Sequence, residues 1–260
     1  MQLQILSKVL LKEYLGCISG DIQKSFDSLQ EAELSTPNFS FYTSVATVFS
    51  SKIEGEVIEL DSYIKHKREG LAFQPDYTRK IDDLYEAYLF AKNNNLTETN
   101  LQEAHKILSK HLVAKPWQGK YRVQNMFVAT DDGKIEYVAA RPQIVQEEMS
   151  RLFADIDLLL HSELCIEEVF YFAAMIHLVF AKIHPFTDGN GRSARLLEKW
   201  FMAEKLGEKA WLIQSEKMYY QQHQGYYRNL RALGLEYDEL NFGKALPFVS
   251  MLPEALNLSK

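Results

Sequence analysis

The stretch Val169–Ala181 constrains the fold of this 260-residue chain more than any other. It is apolar around its whole circumference, and a helix of that kind is stable only inside a core. It is too short to cross a bilayer and it contains His177, so the sequence predicts a buried core helix over Cys165–Ile183 and no membrane residence. Gly (12) and Pro (7) are scarce, and a helical period recurs over Thr78–Ala91, Glu98–Leu112, Ile144–His161 and in two or three segments after Gly191. Upstream, Phe41, Val45, Val48 and Phe49 fall at i, i+4, i+7 and i+8, one apolar stripe of a helix. Asn38 or Ser40 is placed to cap its start and Gly55 to stop it.

One stretch departs from this pattern. Lys120–Ala140 is rich in Tyr, Val, Phe and Ile and carries Asp131-Asp132-Gly133 in its middle, which predicts a β-hairpin turning at those residues. Such a hairpin has to pack on the helical body to be stable, and its open edge suits an extended peptide. The expected fold is therefore all-α with one small β-hairpin. Asn93-Asn94-Asn95 is the best candidate for a domain boundary.

Charge and cysteine content narrow the function. Thirty-five acidic against 29 basic residues give a net charge of −6, which argues against a general nucleic-acid binder. The run Lys65–Arg68 reads as a solvated face. Only Cys17 and Cys165 are present, so neither a disulfide framework nor a Cys-based metal site is expected, and a cytoplasmic setting is the simple expectation. Met1–Gly16 is interrupted by Lys8, Lys12 and Glu13 and lacks the apolar run of a signal peptide.

The chemistry concentrates in His184-Pro185-Phe186-Thr187-Asp188-Gly189-Asn190-Gly191-Arg192-Ser193-Ala194-Arg195. Pro185 ends the core helix and leaves His184 at its lip. Gly189-Asn190-Gly191 then forms a permissive turn opening a second helix, where free N–H groups and the helix dipole favour an anion. Arg192 and Arg195, at i and i+3, add two guanidinium groups, so the spot suits a polyphosphate. Asp188 is placed to hold Mg²⁺ against phosphate oxygens. His184, with an ordinary pKa of about 6.5, is able to take a proton from an attacking hydroxyl. His177, seven residues from His184, lacks a zinc-ligand partner set and reads as a core residue. Tyr219, Tyr220, Tyr226 and Tyr227 suit either an adenosine pocket or the core.

The segment His-Pro-Phe-x-Asp-Gly-Asn-Gly-Arg-x-x-Arg resembles the signature of the Fic (filamentation induced by cAMP) family. That resemblance implies an adenylyltransferase that moves AMP from ATP to a Ser, Thr or Tyr hydroxyl of a protein and releases pyrophosphate. His184 would be the base, Asp188 the Mg²⁺ ligand and Phe186 the buried anchor. Gly189 to Gly191, with Arg192, Ser193, Ala194 and Arg195, would bind the nucleotide. Kinases of the related Doc type carry Lys where this chain has Gly191, which favours AMP transfer. Gly119-Lys120-Tyr121-Arg122, the hairpin and Arg141-Pro142 resemble the family's flap (about 119–142), on which a target protein docks. The family often ends the flap in Pro-Pro. Tyr226-Tyr227 resembles a pair near the adenosine, with Gln222-His223 where the family often has Asn-Arg.

Ser50-Ser51-Lys52-Ile53-Glu54-Gly55 resembles the family's inhibitory motif. Ser50 and Glu54 would lie on the helix face opposite the apolar stripe, and Glu54 would pair with Arg195 where the γ-phosphate belongs. The expected organisation is a helical region over 1–97 carrying the inhibitory helix (about 40–55), followed by a Fic core over 98–260. Self-modification and a homodimer are compatible with the resemblance. Two rival functions remain: an AMP-removing hydrolase that needs Glu54, and a non-catalytic nucleotide sensor.

Overall fold

The computed structural model describes residues 2–259 apart from Ser19, Pro37, Asn38, Gln74 and 130–134. The described residues form helices α1 (Leu11–Cys17), α2 (Ile22–Asp27), α3 (Phe41–Ile53), α4 (Leu60–Glu69), α5 (Pro75–Lys92) and α6 (Glu98–Leu108). After these come strands β1 (Phe127–Ala129) and β2 (Ile135–Val138). Helices α7 (Pro142–Leu160), α8 (Ile166–Ile183), α9 (Asn190–Leu206), α10 (Ser215–Gln221), α11 (His223–Arg231) and α12 (Leu246–Val249) complete the order. The fold is all-α with one antiparallel hairpin. No helix among the described residues is long and apolar enough to cross a membrane.

Helix α8 is the central element, with every residue from Val169 to Ile183 buried. Its neighbours include α7, α9, α12 and α1. The main hydrophobic core runs from Leu6 near the start to Leu256 near the end, and a second, smaller cluster gathers Val48, Ile58, Tyr63, Ile81 and Tyr85. The N-terminal strap is fixed by a contact that no local pattern announces: the amides of Gln4, Ile5 and Leu6 donate to the buried Asp155 carboxylate on α7 at 2.7, 2.9 and 2.8 Å.

Helix α3 starts where expected, with the Ser40 hydroxyl accepting from the Thr43 amide, and it stops at Glu54 and a left-handed Gly55. Asn38 lies outside the described residues. The expectation of one buried stripe needs correcting, since its ends Phe41 and Phe49 are only half-buried while the opposite face is covered too. Val45 and Val48 are buried, and so are Ser44, Thr47, Ser50 and Ser51, because α3 is packed between α5, α9 and α10. Helix α6 ends at Leu108, four residues before the expected Leu112, and Ser109–Leu112 continue as turns. The basic run on α4 is not merely solvated: His66 and Lys67 pair with Asp82 on α5, and Lys65 with Asp61.

The hairpin packs on the body, as its stability requires. The Val138 amide donates to Leu235 O at 2.8 Å, which gives β2 a neighbour on its outer edge. The turn residues Asp131, Asp132 and Gly133 lie outside the described residues.

Candidate active site

The site is built at the junction of α8 and α9, and Arg122 holds that junction to the hairpin. Its backbone amide donates to Pro185 O at 2.8 Å. Its side chain, 2% exposed, donates to His184 O (2.7 Å), Gln124 O (2.7 Å), Ile183 O (3.2 Å) and Ala140 O. A guanidinium among the last carbonyls of a helix satisfies acceptors that have no partner within it and opposes the negative end of its dipole. One arginine thereby closes α8 and pins both arms of the flap.

His184 is left-handed (φ 54°), the sole non-glycine residue with positive φ among the described residues. Its Nδ1 lies 2.9 Å from Tyr137 Oη and 3.3 Å from Ala181 O. Burial pushes its pKa down to about 4, with Arg122 and Lys182 adding repulsion, so the ring is neutral at pH 7.

The loop that follows is self-locked. Asn190 Oδ1 accepts from the Phe186 amide and Asn190 Nδ2 donates to Phe186 O, both at 2.8 Å. Phe186 is fully buried and lies flat on His105, with ring centroids 3.5 Å apart and planes 6° apart. Sequence reasoning missed His105. It accepts from the Gly119 amide (3.0 Å) and its other nitrogen donates to Asp188 O (2.9 Å), so it ties the root of the flap to the loop. The available signal was a histidine on the apolar face of α6, flanked by Leu101, Ala104 and Leu108, all buried.

Burial pushes His105 down to about 4, which makes it a stability element with a definite sign. The unfolded chain binds its proton near pH 6.5 and the folded chain only near 4. Its contribution is complete above 6.5 and is lost as pH falls toward 4, up to about 3 kcal/mol. Urea midpoints are therefore expected to drop between pH 6.5 and 4, with a shallower slope in His105→Gln; parallel slopes would remove His105 as the cause.

At the start of α9 the Gly189 amide is taken by Asp188 Oδ1 (2.6 Å) and the Ser193 amide by Gly189 O (2.9 Å). The amides of Asn190, Gly191 and Arg192 are left as the orphan donors of the first turn. Ser193 and Ala194 therefore sit one step too far into the helix to offer backbone donors. Buried Thr187 Oγ1, Arg192 Nε and Ser193 Oγ have no hydrogen-bond partner among the described residues. A native fold seldom leaves such atoms unpaired, and a bound polyanion would pair the guanidinium N–H. Asp188 is exposed. The free amides of the first turn and the two arginines make an anion nest, and one carboxylate beside it is a donor set that suits Mg²⁺, which prefers phosphates and water to an all-protein cage. No group of three metal-ligating side chains occurs among the described residues.

An anion already occupies the nest. Glu54 Oε1 lies 2.6 Å from Arg195 Nη2, and a Cβ added at Gly191 would stand 2.3 Å from that same oxygen. Arg195 is fully buried and also donates to Ser50 Oγ (2.9 Å), Ser50 O (3.0 Å) and Tyr226 Oη (3.3 Å). Arg192 reaches Glu56 Oε1 at 3.4 Å. Burial alone would raise the Glu54 pKa, but Arg195 and Arg192 outweigh it and hold the carboxyl below its usual range.

Residues 95–202, from just before α6 to within α9, match the model of the Fic/DOC family. The chain carries a Fic domain. A relative named protein adenylyltransferase Fic, from Nematostella vectensis, is 36% identical over 110 residues, covering 42% of this chain and 23% of that protein. The matched part thus spans under a quarter of the relative's length. The fold is shared with a Fic family protein from Desulfovibrio desulfuricans G20 (TM-score 0.69, 21% identity, 96% of this chain and 70% of the other). It is shared as well with a Fic domain containing signaling protein from Bacteroides thetaiotaomicron (0.66, 19%, 97% and 94%) and with Fic-1 from C. elegans (0.68, 17%, 96% and 69%).

The structure distributes the remaining expected residues of the Fic site unevenly. A cavity of about 1140 Å³ opens beside the nest, lined by Lys52, Glu54, Val128, His223, Tyr227 and Arg231 among others. Tyr227 faces it. Tyr226 does not: it is 2% exposed, bonds Arg195 and reaches His177 Nε2 at 2.9 Å. His177 in turn pairs with Glu198 (2.7 Å), which explains this core histidine. Gln222 points elsewhere and donates to Glu254 Oε2 at 2.6 Å, because the break between α10 and α11 turns the next residue, His223, toward the cavity instead.

Proposed function

We propose that the Fic domain transfers AMP from ATP to a protein hydroxyl and that Glu54 restrains the transfer. The observation that carries this reading is the carboxylate at the start of α9: a site that holds one anion between Gly191 and Arg195 suits a phosphate there too. In that reading Arg192, Arg195 and the free amides of Asn190 and Gly191 bind the phosphate chain, and the pocket edged by Tyr227 takes the nucleoside. Mg²⁺ on Asp188, when bound, would neutralise phosphate charge. His184 accepts the proton of a Ser, Thr or Tyr hydroxyl. The hydroxyl oxygen forms a bond to the α-phosphorus while the bond from that phosphorus to the bridging oxygen breaks. Pyrophosphate leaves with the electron pair. The hairpin beside the cavity presents the target, which in trans is another protein and in cis this chain itself.

Glu54→Gly protein incubated with Mg²⁺, cell lysate and ATP labelled on the α- or the γ-phosphate tests the reaction class. Protein-bound label is expected from the α position alone. Label from γ would make it a kinase despite Gly191, and no label from either would favour AMP removal or nucleotide sensing.

A further inference from the structure

The flap does more than border the cavity, because one of its side chains touches the proposed base. Tyr137 lies on β2 and is 7% exposed, whereas Ile135, two residues earlier, is 51% exposed. Strict alternation would put both on one face. The pairing is irregular at this point, with Val128 opposite Tyr137 but Ala129 opposite Ile135. A bulge of that kind adds a residue to one strand and re-aims the side chain beside it. The re-aimed ring brings Tyr137 Oη to 3.0 Å from Ala181 O and 2.9 Å from His184 Nδ1.

These two distances fix the direction of both hydrogen bonds. A phenol has one hydrogen, and Ala181 O can only accept. The Tyr137 hydroxyl therefore donates to Ala181 O and its oxygen accepts from His184. The other neighbour of Nδ1 is again Ala181 O, a second acceptor. Nδ1 accordingly carries the proton and Nε2 keeps the lone pair. The phenol is held by a second contact, with Lys182 Nζ 4.1 Å from its ring centroid, within cation–π range.

We propose that Tyr137 is a positioning residue that holds His184 in the Nδ1–H tautomer, so that the hairpin that would present the target also sets the base. The tautomer assignment rests on geometry alone; its catalytic consequence rests on the AMP-transfer reading. Aligning the base through a flap residue gives the hairpin a way to make catalysis depend on its own seating.

The test is Tyr137→Phe in the full chain, alone and combined with Glu54→Gly. Phenylalanine keeps the ring beside Lys182 and removes only the hydroxyl. Nitrogen-15 NMR of the imidazole at neutral pH is expected to show His184 as the Nδ1–H form in the parent. In Tyr137→Phe a second population with the proton on Nε2 is expected, because only the 3.3 Å contact to Ala181 O remains. In the Glu54→Gly background kcat should fall about tenfold or more, as when a catalytic histidine loses its orienting partner, with KM for ATP unchanged. A mixed tautomer in the parent, or a variant with both tautomer and kcat unaltered, overturns the proposal. If Glu54→Gly transfers no AMP, the AMP-transfer reading fails by itself and the NMR result still decides the tautomer.

Discussion

Glu54→Gly is expected to raise the rate of AMP transfer about ten- to a hundredfold. Breaking a buried ion pair costs roughly 3–5 kcal/mol, but the Glu54 side chain is 25% exposed against 0% for Arg195, so solvent screening brings the expected effect below that range, to roughly 1.4–2.8 kcal/mol. What disappears is the competitor: Arg195, now facing an empty nest, is free to take a phosphate. The fold should hold, since Glu54 sits past the last turn of α3 at φ −87°, and its main long-range partner is Arg195. Initial rates of α-label incorporation, with circular dichroism as a fold control, measure this. The AMP-removing reading predicts the opposite sign, with removal of AMP lost in the same variant. A rate equal to the parent's would mean that the Glu54–Arg195 contact does not restrain the enzyme.

His184→Ala should lower transfer by about 10²- to 10⁴-fold, the range that general acid–base catalysis contributes, while ATP affinity changes little. The separation follows from the architecture. The proposed phosphate donors all belong to the start of α9, its two arginines included, whereas His184 is held from behind by Arg122, Ala181 and Tyr137. Alanine at a left-handed position costs about 1–2 kcal/mol, which Arg122 and the Asn190 clasp on Phe186 can absorb. Parallel nucleotide titration and label incorporation distinguish the outcomes: lost binding would make His184 part of the nest, and retained transfer would remove it from the chemistry.

The parts of this molecule legible in its sequence are those written locally. The core helix α8, the turn at Gly189-Asn190-Gly191 and the cap of α3 each depend on residues a few positions apart, and each lies where periodicity and turn chemistry put it. The segment carrying Glu54 was legible by resemblance, and its carboxylate does meet Arg195. What escaped depends on contacts across the chain. Arg122 closes a helix that ends some sixty residues later, His105 bridges Gly119 to Asp188, and Asp155 receives three amides from the N-terminus. Only His105 has a signal at short range, its apolar neighbours on α6, and that signal does not name its partners. Gln222 and Tyr226 show the reverse failure. Their position in the sequence suggested a nucleoside contact, but the break between α10 and α11 turns one toward Glu254 and buries the other against Arg195.

The proposed restraint has Glu54 and the terminal phosphate of ATP competing for one guanidinium. It is tested most directly by the dissociation constants of a non-hydrolysable ATP analogue and of ADP, each measured by calorimetry on the parent and on Glu54→Gly with Mg²⁺ present. Arg195 serves the γ-phosphate in this account, so the variant should bind the ATP analogue about tenfold tighter or more and bind ADP nearly unchanged. Equal gains for both nucleotides, or none for either, would contradict it.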